Sequence, residues 1–191
     1  MFDYFAVLVS VVFGLALTHL LRGLGKLIQM RRQCRIYLPH IIWTINVVFW
    51  VLAVWWGMFW WRSLSDWTFA WFLFIASYAI VVFVWSYMLY PQEVSEHINF
   101  EQFFHDNRRP FFGLMLLAML MDVPEVLVKS RMGLRAVPTQ YAALVVSVIV
   151  IAVIGLSTAN RRTHLLLPFA CLVVLCSYEL LSAVRQIGAV N

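Results

Sequence analysis

The stretch LMLLAMLMDVPEVLV, residues 114–128, decides how this chain is read. Eight unbroken apolar residues lead into Asp122, Pro124 and Glu125, and apolar residues resume directly afterwards. Carboxylates placed at bilayer depth are costly, so a chain that keeps two of them has either a partner for them or a task. Charge-free windows recur on both sides of this segment: Tyr4 to Leu21, Ile36 to Trp61, Trp67 to Gln92, Pro110 to Met121, Ala136 to Asn160 and Thr163 to Tyr178. A helix needs about 20 residues to cross a hydrocarbon core of roughly 30 Å. Five windows reach or approach that length, and the fourth does so once Asp122 and Glu125 are counted inside it. The expected class is therefore all-α: a polytopic membrane protein built as a six-transmembrane-helix bundle.

Composition agrees. The 191 residues are 63% hydrophobic and 12% charged, and the mean hydropathy is +0.85. A soluble domain carries about twice that charge. Transmembrane strands would alternate over about ten residues, and no such alternation occurs. The first helix is expected to stay in the protein, because Met-Phe-Asp supplies no basic leader and no small-residue cleavage site follows.

Basic residues predict the orientation. Arg22, Lys26, Arg31, Arg32, Arg35, Arg108, Arg109, Arg161 and Arg162 fall on one side, against Arg62, Lys129, Arg131, Arg135 and Arg185 on the other. The first set is expected to face the cytoplasm, which puts both termini outside. The formal charge of +5 then reflects loop bias and anionic lipid, so lipid is the expected partner and nucleic acid is not. Cys34 stands alone, and Cys171 and Cys176 diverge by about 140° around one helix, so no disulfide and no thiol redox site is expected.

The spans are read as Phe2–Leu27, Leu38–Trp61, Trp67–Tyr90, Pro110–Val128, Pro138–Leu156 and His164–Ile187. Short connections predict that helices two and three, and five and six, form antiparallel hairpins. The long connection, residues 91–109, separates two three-helix halves, 1–90 and 110–191, within a single domain. A shift of about 100 residues sets His19 on Asp122, Arg22 on Glu125 and Lys26 on Lys129. Such a repeat would be inverted in the membrane, as in many transporters. Ser10, Gly14 and Thr18 recur every four residues and offer a close-packing face to this chain or to another. A six-helix bundle this small encloses little space, so a homo-oligomer or a membrane-protein partner is expected.

Asp122, Glu125 and Glu179 are the leading site candidates. Asp122 lies roughly 20 Å into its helix, counting from Arg109. Pro124 frees the Leu120 carbonyl, and Glu179 reaches a similar depth from the other direction. Acids and a free carbonyl at one depth could bind a cation or pass a proton. The competing reading is an ion-pair network, with Glu125 on Lys129 at the four-residue spacing and Glu179 or Asp122 on Arg185. On the opposite side, His19, Arg22 and Lys26 share a face of helix one, with Asn46 at mid-depth on helix two. That group could be an anion or lipid-headgroup pocket or a proton step at His19, or Arg22 and Lys26 could simply snorkel to lipid phosphates. Trp55, Trp56, Trp60, Trp61, Trp67 and Trp71 read as an interfacial belt, and Trp43 and Trp50 as packing.

Within residues 91–109, Glu93, His97, Glu101 and His105 recur every four residues. Ligands eight apart on a helix stand about 12 Å from each other, so only an adjacent pair such as His97 and Glu101 could hold a metal. A surface helix with Phe100, Phe103 and Phe104 in the interface fits better, with Asp106 or Asn107 capping the next helix and Pro110 in its first turn.

Tyr90-Pro91, the run Asn107-Arg108-Arg109-Pro110-Phe111-Phe112-Gly113-Leu114 and the run Leu17-Thr18-His19-Leu20-Leu21-Arg22-Gly23 resemble a group of small bacterial multi-pass inner-membrane proteins without an assigned activity. The resemblance implies a bacterial inner-membrane location and transfers no functional residue. Protease, nucleophile-elbow, phosphate-loop, haem-ligand and voltage-sensor patterns are all missing. No cofactor and no enzymatic activity is therefore expected. Two acids three residues apart repel when both are charged, a property that suits a proton relay. Proton or small-cation transport, of carrier or channel type, is the expected function, with an accessory or scaffold subunit as the alternative.

Overall fold

The computed structural model describes residues 2–92 and 98–188, the last four of these by backbone alone. Six helices follow one another: α1 (Phe2–Gln29), α2 (Leu38–Met58), α3 (Phe69–Tyr87), α4 (Phe100–Arg131), α5 (Tyr141–Ser157) and α6 (Arg161–Gly188). A 3₁₀ segment, Phe59–Ser63, extends α2, and there is no strand among the described residues. Five of the helices are long and apolar enough to cross a membrane, and α5 is a shorter apolar helix. Its 17 residues rise about 26 Å, at the short end of what a span requires. The chain is a multi-pass integral membrane protein.

The helices close into a ring in the order α1, α3, α4, α5, α6, α2, each packed chiefly on its two neighbours. α5 and α6 form the expected antiparallel hairpin, whereas α2 and α3 share only a small contact because α1 packs against both. The two halves are thus packed differently. α1 lies along α3, while in the second half α5 is the helix that joins α4 to α6.

Helix four departs from expectation at its start. It begins at Phe100 rather than Pro110, and Asn99 caps it, its Oδ1 accepting from the amides of Glu101 (3.1 Å) and Gln102 (3.4 Å). Asp106 and Asn107 are therefore not caps; both lie inside the helix. The reason is aromatic. Phe100, Phe104 and Phe111 fall within about 40° of one another around α4, and all three are buried in the core. Burying them outweighs the single backbone bond that Pro110 forfeits. The second half of residues 91–109 is thus core-packed helix rather than an interfacial one.

Trp61 is also displaced from its expected place. Trp55 and Trp56 do face outward, but Trp61 is fully buried, turned inward by the 3₁₀ segment that ends α2. Trp43 and Trp50 are buried packing residues, as read from sequence. The Ser10, Gly14 and Thr18 stripe points outward: nothing lies within 4 Å of a Cβ added at Gly14, and Thr18 Oγ1 donates to the Gly14 carbonyl at 2.7 Å.

Gly155 of α5 packs directly on Phe112 of α4, since a Cβ there would stand 2.5 Å from the Phe112 ring. Phe112 is walled in by Trp43 and Phe111 and has little room to yield. Gly155→Ala is expected to cost about 1–3 kcal/mol through overpacking. Gly113→Ala, in α4 with nothing within 4 Å, is expected to be neutral or stabilising by about 0.5–1 kcal/mol. Detergent-solubilised unfolding midpoints of the two variants check the contrast.

Candidate functional site

Asp122, Glu125 and Lys129 occupy one face of α4, at zero, three and seven residues. Glu125 and Lys129 form an ion pair, with side chains only 5% and 3% exposed. Trp61 Nε1 donates to Glu125 Oε1 at 2.8 Å, and Lys129 Nζ donates to the Gly57 carbonyl at 2.7 Å. Gly57 lies in the last turn of α2, so the ammonium also meets the negative end of that helix dipole. Its charge stands 5.5 Å above the Trp61 ring centroid. Every member of this group has a partner, which is what allows two charges to stay so far from water.

Asp122 is held differently. Tyr78 from α3 donates to Oδ1 at 3.0 Å, and Tyr141 from the first turn of α5 donates to Oδ2 at 2.7 Å. No cation pairs with it among the described residues. The carboxylate is half-buried and faces a cavity of about 250 Å³ among α2, α3, α4, α5 and α6. Tyr178 and Glu179 of α6 line the same cavity, as does Arg135 from the α4–α5 connection. Gln140 Nε2 donates to Ser182 Oγ at 2.7 Å and ties that connection to α6. Arg135 also lies over the Trp60 ring, 5.4 Å from its centroid. Beyond the cavity the bundle is closed by aromatic packing, with Trp43, Phe111 and Phe112 in edge-on contacts and Trp85 tilted against Phe111.

The three acids expected to share a site thus line one cavity. Of their expected charge partners, Lys129 takes Glu125, while the Arg185 side chain lies outside the described residues. Tyr78, Tyr141, Trp61, Gly57 and Arg135 complete the site and were not read from the sequence as its members. For Tyr78 and Tyr141 the available signal was weak: each is a tyrosine set within an apolar span.

His19 and Asn46 are not brought together. His19 stacks on Tyr87 of α3, with ring centroids 3.9 Å apart and planes at 11°. Asn46 is fully buried and its amide donates to the Ile42 and Pro168 carbonyls, each at 2.9 Å. It therefore fastens α2 to α6 and does not face helix one. Arg22 and Lys26 line a shallow groove with His19, Tyr87 and Tyr90. A Cβ at Gly23 would fall 2.3 Å from the Tyr90 ring, so only glycine permits that wall. Tyr90 closes the groove with its hydroxyl bonded to Thr44 Oγ1 at 2.9 Å, and burial pushes that hydroxyl up to about 12.

Glu101 is an ion-pair partner, with Arg161 Nε at 3.0 Å and Arg35 Nη2 at 3.5 Å. It joins the first connection, α4 and α6. Beside it, burial and then the Glu101 charge push the Tyr37 hydroxyl up to about 12, so it stays neutral. His97 and Glu93 lie outside the described residues, and no group of three metal-ligating side chains forms among the described ones.

Fold and cavity together define a polytopic integral membrane protein with a polar cavity set into its bundle. No family model matches the chain, and neither the curated proteins nor the solved structures contain a match to it.

Proposed function

We propose that this is a bacterial inner-membrane carrier of protons or small cations in which Asp122 is the exchanging group. The observation that carries the reading is the division of labour on α4: Glu125 has its own cation, while Asp122, among the described residues, has only tyrosine hydroxyls and an adjoining cavity. A carboxylate held by two neutral donors keeps its charge available. An arriving proton or cation can take it without first breaking an ion pair. Tyr78 and Tyr141 hold both oxygens in place, and Glu179 adds an acid from α6 within the same cavity. The aromatic packing beyond the cavity argues for a carrier over an open channel, because passage requires those rings to move. The basic-residue bias supports an orientation with the Glu101 end in the cytoplasm and the cavity on the periplasmic side.

An accessory subunit is the second reading. The outward-facing Gly14 and Thr18 favour it, since that part of the stripe is left to a lipid, a second copy or another membrane protein, while Ser10 accepts from Trp55 Nε1 at 3.2 Å. The two readings differ at Asp122. A hydrophobic carbodiimide, which modifies protonated carboxyls in apolar surroundings, is expected to label Asp122, and the labelling is expected to fall as pH or competing cation rises. Mass spectrometry of the modified protein provides the check. A carboxyl that stays unlabelled at every pH would remove the exchange reading and leave the accessory one.

A further inference from the structure

The opposite end of the bundle carries a second groove, of about 380 Å³, between the first turns of α4 and the start of α6. Glu101, Gln102, His105, Arg108 and Arg161 line it. Glu101 is the single acid in that lining among the described residues, and two guanidinium groups, from Arg35 and Arg161, already share it. Arg108 adds a third cation, and its Nε is buried with no hydrogen-bond partner among the described residues. His105 Nε2 is buried and unpartnered in the same way, on a ring whose centroid lies 5.2 Å from that of His164. Buried donors almost always find an acceptor. Two orphaned nitrogens side by side on α4, Arg108 Nε and His105 Nε2, set among surplus positive charge in the described residues, point to a missing anion. The groove also adjoins Arg161, where α6 begins, and the first amides of a long helix favour negative charge.

We propose that this groove binds a phosphate group, carried by a phospholipid headgroup or free in solution. Planar guanidinium forks match the oxygens of phosphate, and several separate donors suit a tetrahedral anion better than a carboxylate. Arg35 and Arg161 have side chains 68% and 70% exposed, so they reach the rim where an entering headgroup arrives. Glu101 orients Arg161 and keeps it directed across the groove. The site is independent of Asp122, which lies more than a dozen residues further along α4.

The test uses full-length protein in two sets of nanodiscs. Discs of phosphatidylcholine alone are titrated with inorganic phosphate and followed by phosphorus NMR. Discs containing phosphatidylglycerol are extracted with detergent, and lipid retained by the protein is identified by mass spectrometry. Wild type is expected to hold one of the two probes. Arg108→Gln is expected to weaken that binding by about tenfold or more, the worth of a charge-assisted hydrogen bond. Arg109→Gln, an exposed neighbour outside the groove, is expected to leave it unchanged. Retained phosphatidylglycerol assigns the headgroup, and line broadening in phosphatidylcholine discs assigns free phosphate. Arg108→Gln leaves the Glu101 ion pairs intact and is expected to fold. Arg161→Gln serves as a second variant with the same expected loss. Equal losses in Arg108→Gln and Arg109→Gln, or no phosphorus species held by wild type, would overturn the proposal.

Discussion

Replacing Lys129 with methionine is expected to destabilise the folded bundle by about 3–5 kcal/mol, the scale for removing one partner of a buried ion pair. Glu125 would be left charged and 5% exposed, with only the Trp61 indole as donor. The Gly57 carbonyl would lose its ammonium. Glu125→Gln is expected to cost less, because Lys129 keeps Gly57 and the amide still accepts from Trp61. The double variant Glu125→Gln/Lys129→Met should recover most of the loss, since no unpaired charge remains. Unfolding in mixed micelles with a denaturing detergent, followed by tryptophan fluorescence, gives the three values. The cycle reports the coupling of the pair directly. A Lys129→Met protein as stable as wild type would mean that the pair contributes nothing to holding α2 against α4.

That pair was legible in the sequence because its information is local. Glu125 and Lys129 are four residues apart on one helix, and helix geometry alone brings them together. The partners of Asp122 were not legible, because Tyr78 and Tyr141 come from α3 and α5. Which faces of those helices meet α4 depends on the ring order, and nothing local encodes it. His19 and Asn46 show the same limit from the other direction. Matched depth suggested a shared site, but depth does not fix rotation about a helix axis, and Asn46 turns to Pro168.

The start of α4 was misread for a different reason. Pro110 after Asn107 resembles a helix start, and the aromatic face of Phe100, Phe104 and Phe111 runs straight through it. A proline costs one backbone bond, whereas three buried phenylalanines contribute on the order of 1.5–3 kcal/mol apiece. Trp60 and Trp61 are adjacent in sequence and differ in fate, one beside Arg135 and the other beneath Glu125. Residue type could not separate them, because tryptophan serves both belt and core.

Asp122→Asn is expected to abolish ion movement while leaving the fold nearly intact. The asparagine oxygen can still accept a hydroxyl hydrogen bond, so at least one of the Tyr78 and Tyr141 contacts survives. The expected stability loss is therefore about 1–2 kcal/mol, well below that of Lys129→Met. What the substitution removes is the charge, and with it the ability to take up a proton or bind a cation. Tyr141→Phe should fall between, slowing exchange by loosening one carboxylate oxygen without removing the exchanging group. Proton and cation flux into proteoliposomes under an imposed gradient, for wild type and Asp122→Asn at matched protein content, is the most direct measurement. Wild-type flux above protein-free vesicles, reduced to their level in folded Asp122→Asn, is the predicted result. Equal flux in the two proteins, or none in wild type under any gradient, would contradict a carrier working through Asp122.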